Sequence, residues 1–416
     1  MRLGPFIALA LFGAIQFGSP AARADDAAVT AQLQQLVDGY VRDRASIEGL
    51  SGTALQVDRG AGHPIISVFA GDDGLGDKKP IGPDTLFQIG SNTKAFTAAL
   101  ILKLAAAGKL SLDDTIGRWL PQYSAWRDVT IRSLLNMTSP IPNYSETVEI
   151  GEIEAADIHH QFSDKNLIGF VDPTNGHHFP LPSGWFYSNT NYILAGLIIE
   201  AASGLSYEQA LTTMILEPLG LKDTFYPDGP HPGPAALGSQ IARVPRALYL
   251  LQDCLDYQPK PCSVSTLAPL IGKDMRTQNM SWAGPAGAMV STPRDLALWI
   301  RALFEKRVIP ETQLGEMTKL VSQKTGSPLS DATPADPRAF GLALGRFYFK
   351  DQGGGFWFYE GETLGFRAIF AYWPQYDLLV TAAVNSQAPN GEDRLGPTLV
   401  NGAFGVLSQD QLIDAQ

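Results

Sequence analysis

The chain has 416 residues, 45% of them hydrophobic and 18% charged, an ordinary globular composition. The formal net charge is −11, and the absence of a Lys/Arg-rich run or basic aromatic patch argues against nucleic acid as a partner. The length fits two or three domains or one large α/β catalytic unit.

The first element is a leader. Met1-Arg2, the apolar run Leu3 to Phe17 (broken only by Gln16) and the A-x-A site Ala22-Arg23-Ala24 read as a cleaved signal peptide over residues 1–24. The run is too short to span a bilayer comfortably; an uncleaved anchor is the alternative. Residues 25–416 are then expected as one periplasmic or secreted domain with no integral membrane segment. Leu100 to Ala107 and Tyr192 to Ala202 are apolar but short, and read as buried helices. Cys254 and Cys262 can pair in an oxidising compartment; two buried, unpaired thiols are the alternative.

Leu33, Leu36, Val37, Tyr40, Val41 and Ile47 form an apolar stripe that predicts an amphipathic helix over 31–47. Thr53–Asp58 and Ile65–Ala70, split by the Gly60–Pro64 turn, read as a hairpin. Ser91 to Ala107 is apolar on nearly every face and predicts a buried helix that Gly108 ends. From about 110 to 320 the chain reads as mostly helical. One helix, Thr190–Ser203, stops at Gly204. Ser206-Tyr207-Glu208-Gln209 is a capping box opening the next, and Thr292-Pro293 opens a third. Strands follow at Phe340–Lys350, Phe356–Glu360, Phe366–Trp373 and Leu378–Asn385, then a helix near Pro397–Leu407. Strands from both ends of the chain, about 48–75 and 338–416, imply an α/β (α+β) fold. Its antiparallel sheet is flanked by helices and carries an inserted helical subdomain.

Ser91-Asn92-Thr93-Lys94 is the one S-x-x-K in the chain. At that spacing on a helix the two side chains share a face. A serine hydroxyl needs a base to become a nucleophile, and a lysine desolvated by an apolar helix can be that base. Free N–H groups at the helix N-terminus suit an oxyanion. Tyr187-Ser188-Asn189 is the one Y-x-N. Its phenol can relay a proton to a leaving group, and its amide can hold Lys94 or a substrate amide. An aromatic core residue and a helix cap are the plainer readings of that pair.

These segments resemble the serine β-lactamase-related hydrolases, a family that includes class C β-lactamases, D-alanyl-D-alanine carboxypeptidases, D-aminopeptidases and several esterases. Phe87-Gln88-Ile89-Gly90 before S-x-x-K carries the resemblance, as does the run from Val129 to Ser139. So do Pro182-Ser183-Gly184 through Tyr187-Ser188-Asn189, Gly196 to Glu200, Ser203-Gly204, Pro218 to Leu221, Gly284 to Pro293, and Gly365-Phe366. The resemblance implies acyl transfer through Ser91, with Lys94 and Tyr187 handling protons and Asn189 positioning the substrate. No metal or organic cofactor is implied, and the expected partner is a small-molecule or peptide substrate. Nothing in the sequence speaks to oligomeric state.

The family's third element, Lys-Thr-Gly or His-x-Gly on a strand facing the nucleophile, is altered here. A literal Lys324-Thr325-Gly326 precedes Ser327-Pro328 and a Pro/Asp/Ala-rich loop, with four strands still expected after it, and is read as a decoy. Counting back from Gly365-Phe366 places the element at Tyr359-Glu360-Gly361. The second oxyanion donor is then the backbone N–H of Glu362. Tyr359 stands where the family has a cation, which weakens the case for recognising a substrate carboxylate; Arg367 is a candidate substitute. Met137 and Pro140 replace the family's frequent His and Gly.

His159-His160 and His177-His178 lack an ordered metal-ligand spacing. There is no G-x-S-x-G elbow, and Gly353-Gly354-Gly355 reads as a hairpin turn. The reading is a serine hydrolase cleaving an ester or amide. Its rivals are a D-alanyl-D-alanine carboxypeptidase or β-lactamase, and a non-catalytic protein that kept the penicillin-recognising fold.

Overall fold

The computed structural model describes residues 20–177, 182–227, 237–250, 264–387 and 395–409. Residues 1–19 of the segment 1–24 read as a leader, His178, Cys254 and Cys262 lie outside the described residues. Helix begins at Pro20, inside the segment read as leader, and continues to Glu48.

The sheet is built from both ends of the chain, as expected. Strands β1 (Gly52–Asp58) and β2 (Ile66–Gly71) form the first hairpin. The short β3 (Phe87–Gln88), β4 (Thr224–Phe225) and β5 (Val290–Ser291) make a separate three-stranded sheet within the helical half. The remaining strands are β6 (Leu320–Ser322), β7 (Pro328–Leu329), β8 (Arg338–Phe340), β9 (Gly345–Phe349), β10 (Gly354–Glu362), β11 (Arg367–Trp373) and β12 (Leu378–Val384). The large sheet runs β2-β1-β12-β11-β10-β9-β8-β6-β7, and its ladders are antiparallel.

Two departures from the sequence reading have physical causes. The single strand expected over Phe340–Lys350 is two, β8 and β9. Gly341 lies so close to Met317 that a Cβ would stand 2.3 Å from its carbonyl oxygen, and Ala343 takes a φ of +61°. Six strands, β7 to β12, follow Lys324-Thr325-Gly326 rather than four, because two pieces are only two or three residues long and carry no periodic signal.

Both faces of the sheet are covered, so β12 (Leu-Leu-Val-Thr-Ala-Ala-Val) is buried at every position instead of alternating with solvent. The period-two alternation instead divides two cores. Ala368, Phe370, Leu379 and Ala383 pack toward the helical half and the helix Thr93–Ala106. Ile369, Ala371, Trp373 and Val380 pack toward the N-terminal helix and the C-terminal helical segment Leu395–Gln409 through Val29, Leu33, Leu399 and Phe404.

Candidate active site

The chain enters the buried helix through one 3-10 turn, Gly90–Asn92, so that Ser91 sits at the head of Thr93–Ala106. Lys94, in the first turn of that helix, is fully buried. Its Nζ lies 2.9 Å from Ser91 Oγ and donates to Ala286 O at 2.7 Å. On the other side, Ser91 Oγ and Tyr187 OH are 2.5 Å apart. The Lys94 ammonium position also lies 4.9 Å from the Tyr187 ring centre and 5.5 Å from that of Tyr192. Burial without a carboxylate partner among the described residues holds the Lys94 pKa well below the ordinary lysine range. An amine whose pKa is lowered in this way gives up its own proton more readily and can then take the serine proton.

The approach of β10 to Ser91 depends on two glycines. A Cβ on Gly361 would stand 1.8 Å from Ile89 O and 2.7 Å from Ser91 N; one on Gly90 would stand 2.5 Å from Glu362 N. Only side-chain-free backbone lets β10 press against the Gly90–Asn92 turn, and Gly90 needs its φ of +49° as well. The backbone N–H groups of Ser91 and Glu362 are thereby brought to neighbouring positions.

Tyr359, two residues before Gly361 on the same face of β10, is 7% exposed. Its ring lies 5.9 Å from Phe340, Phe340 lies 5.5 Å from Trp185, and Trp185 lies 6.5 Å from Tyr187. The position read from the sequence as that of the family's cation is therefore part of an aromatic wall that runs back to the phenol beside Ser91.

Asn189 heads the helix Asn189–Ser203. Its side-chain NH2 donates to Ser145 Oγ at 2.9 Å and its backbone N–H to Asn143 Oδ1 at 2.9 Å. The amide is thus directed to the Asn143–Glu146 turn, whereas the lysine is held by Ala286. The Gly284–Pro293 run contributes that carbonyl, a role not visible in its residue types.

Arg367 does not serve as a substitute cation. It pairs across the ladder with Glu362 and shares the reverse face with Ile369. There its guanidinium meets Glu48 Oε2 and Ser386 O, away from Ser91. Met137, also without a sequence-based reading, holds the tyrosine segment. Its carbonyl accepts from Phe186 N–H at 2.8 Å and its sulfur from Ser188 N–H at 3.4 Å. Nothing in the structure explains Pro140.

Lys324-Thr325-Gly326 lies in the turn between β6 and β7, off the strand that meets Ser91. That turn nonetheless packs on Gly184 and places Lys324 in one cleft with Tyr187. His159 Nε2 contacts Thr277 Oγ1 at 3.3 Å, and His160 packs on Phe162. No group of metal-ligating side chains occurs among the described residues, and no described helix is long and apolar enough to cross a membrane.

The Beta-lactamase family model matches residues 28–403. Over 157 residues the chain is 36% identical to a penicillin-binding protein of Bacillus subtilis, a stretch that is 36% of this chain and about a third (32%) of that relative. Among solved structures, the D-stereospecific amidohydrolase of a Streptomyces species is 26% identical with a TM-score of 0.68, over 90% of this chain and 98% of that one. The D-amino acid amidase of Ochrobactrum anthropi, solved with L-phenylalanine amide, is 23% identical with a TM-score of 0.72, over 92% and 99%.

Proposed function

The chain belongs to the β-lactamase family and is a serine hydrolase of that fold, and from that premise we propose that it cleaves a neutral ester or amide through an acyl-enzyme on Ser91. Neutral Lys94 accepts the Ser91 proton as Oγ attacks the carbonyl carbon. The backbone N–H groups of Ser91 and Glu362 hold the developing oxyanion. Tyr187 passes a proton to the departing oxygen or nitrogen, and water then releases the acyl group by the same groups acting in reverse. Asn189, held by Ser145, forms the substrate-facing edge of the site.

The observation that carries this reading is the placement of Ser91 Oγ between Nζ of a fully buried lysine at 2.9 Å and a phenol at 2.5 Å. Neutrality of the substrate is supported by Tyr359, which offers a ring and hydroxyl where a lysine would offer a charge-assisted bond of about twice the strength. The amide option is supported by the names of the structural neighbours, an amidohydrolase and an amidase. A D,D-peptidase is the second reading, supported by the penicillin-binding relative. For the cell, the reading includes export and a mature N-terminus at Asp25, on the strength of the leader pattern.

A panel of nitrocefin, a p-nitrophenyl ester, an amino-acid amide and a D-Ala-D-Ala peptide tests the assignment. Turnover of the ester or amide above the other two is expected. A kcat/KM led by the D-Ala-D-Ala peptide would install the second reading.

A further inference from the structure

Two buried threonines flank Lys94 on its own helix, and neither has a part in the chemistry given above. Thr97, one turn on, is fully buried. Its Oγ1 donates to Pro285 O at 2.7 Å and lies 2.6 Å from the hydroxyl of the buried Tyr207. Thr93 O, the acceptor one turn back along the helix, is farther away at 3.3 Å. A threonine hydroxyl has a single proton to give. With that proton on Pro285 O, the Tyr207 phenol is the donor to Thr97. Burial raises the Tyr207 pKa, so the phenol keeps its proton. The link therefore has a direction, from Tyr207 through Thr97 to Pro285.

Pro285 immediately precedes Ala286, whose carbonyl accepts from Lys94 Nζ at 2.7 Å. Both belong to the single turn Gly284–Gly287. That turn is pinned from a second side. A Cβ on Gly196 would stand 2.4 Å from Cγ of Pro285, so the helix Asn189–Ser203 packs its backbone directly on the proline ring. Thr93 ties down the far end, where its Oγ1 donates to Gly90 O at 2.7 Å and accepts from Met289 N–H at 3.1 Å. The carbonyl that Lys94 uses is thus held between two hydroxyls of the lysine's own helix. The ionisable groups that face Nζ are the phenols of Tyr187 and Tyr192, and Tyr192 OH donates to Leu135 O at 2.6 Å. The Gly284–Gly287 turn brings a carbonyl to Nζ and no ionisable group.

We propose that Thr97, aligned by Tyr207, is a positioning residue for the lysine base: by fixing Pro285 it fixes the Ala286 carbonyl, and that carbonyl sets the direction of the Nζ lone pair. This rests on the Ser91 reading given above. A neutral amine has two N–H bonds and one lone pair. Giving one N–H to Ala286 O limits rotation about the Cε–Nζ bond and favours the orientation in which the lone pair meets Ser91 Oγ, 2.9 Å away. As Oγ bonds to the carbonyl carbon its proton passes to Nζ, which becomes an ammonium. The bond to Ala286 O is then charge-assisted, about twice as strong as a neutral one. The carbonyl therefore contributes most once the base is loaded.

The test measures the pH dependence of kcat/KM, with the p-nitrophenyl ester as substrate, in Thr97→Val, Thr97→Ser and Tyr207→Phe. Thr97→Val keeps the side-chain shape and loses the hydroxyl. Its kcat should fall about threefold to tenfold with KM unchanged, the order set by one neutral hydrogen bond. Its acid limb should move to lower pH, by up to about one unit, because the ammonium has lost a firmly held acceptor. Thr97→Ser should restore both, and Tyr207→Phe should shift both in the same direction by less. In protein labelled at lysine Cε for NMR, the Lys94 resonance, assigned by its loss in Lys94→Met, should titrate at lower pH in Thr97→Val than in wild type. An unmoved resonance and acid limb in a folded Thr97→Val overturn the proposal, as does an equal loss of rate in Thr97→Ser. Where Thr97→Val does not fold, Tyr207→Phe decides by the same two readouts. A resonance that moves while the rate profile stays fixed would count against Lys94 as the base and leave its link to Thr97 standing.

Discussion

Lys94 and Arg367 lie on opposite sides of the same sheet, and both are cut off from water at 0% and 1% exposure. Arg367 is matched with Glu48, whose carboxylate also receives Arg44 Nε at 2.7 Å, Ser386 Oγ at 2.9 Å and the Tyr40 hydroxyl. Lys94 has a carbonyl, a serine hydroxyl and two aromatic faces, and no acid among the described residues. A buried charge with a counter-ion remains a charge and fastens the N-terminal helix to β11. A buried amine without one holds its proton less tightly and can serve as a base. What separates structure from chemistry in this molecule is which cation was left unmatched.

The largest effects are expected where the unmatched side is cut. Ser91→Ala should abolish turnover and covalent labelling by a fluorophosphonate, with the fold retained, since a small polar group is trimmed to a smaller one. Lys94→Ala should lower kcat/KM by several orders of magnitude, because the nucleophile loses its base. Near wild-type rates in Lys94→Ala would place the base elsewhere and dissolve the contrast with Arg367.

On the matched side the loss should be in stability. Arg367→Ala leaves Glu48 buried with part of its partners gone, at a cost of about 3–5 kcal/mol. Denaturant melts should show that loss, while kcat/KM per folded molecule stays close to wild type. A selective loss of activity at unchanged stability would mean that Arg367 reaches the pocket after all.

Lys94 should also limit the enzyme by pH. Its pKa is lowered by burial, so kcat/KM should fall on the acid side as the amine gains its proton, with an inflection well below the ordinary lysine value. The same shift costs stability: below the unfolded-state pKa the unfolded chain binds a proton that the folded one refuses, and the cost fades as pH rises through that value. Lys94→Met should therefore be inactive yet melt higher at neutral pH, by about 1 °C for each kcal/mol recovered. A lower melting temperature would show the ammonium to be charged and stabilising.

Much of this contrast was legible in the residues, and its limits are instructive. The Ser91/Lys94 spacing, the apolar helix around it and the Y-x-N all concern local pattern, which sequence carries well. The position of Gly361 opposite Ser91 followed from counting back from Gly365-Phe366. The direction of Arg367 did not, because side chains reverse face at every residue and parity is fixed only by the register Glu362↔Arg367 and Gly361↔Ala368. Ala286 and Met137 act through a carbonyl and through a carbonyl and a sulfur, groups whose use residue type does not announce. Lys324 was correctly set aside as a strand element. Its place beside Tyr187 depends on contact between two turns more than a hundred residues apart, which no local pattern encodes.

A predicted effect on stability alone, with no loss of activity, extends the comparison to an acid. Glu154, in the helix Val148–Ala156, is 7% exposed and accepts Gln278 Nε2 at 2.7 Å. Burial raises its pKa from 4.5 to about 8 despite that bond, so it is the acidic counterpart of Lys94, an ionisable group kept neutral by lack of a counter-ion. The folded state then holds a proton that the unfolded chain releases above about pH 4.5, and stability attributable to this group falls as pH rises from there to about 8, levelling beyond. The slope is at most about 1.4 kcal/mol per pH unit. Glu154→Gln replaces the carboxyl by a neutral group of the same shape and removes the slope. Urea unfolding at pH 5, 7 and 8.5 should show the variant gaining on wild type at each step, with activity unaffected. A constant difference across the three would mean that Glu154 is ionised in the fold, and burial alone would then not decide which groups of this helical half give up their charge.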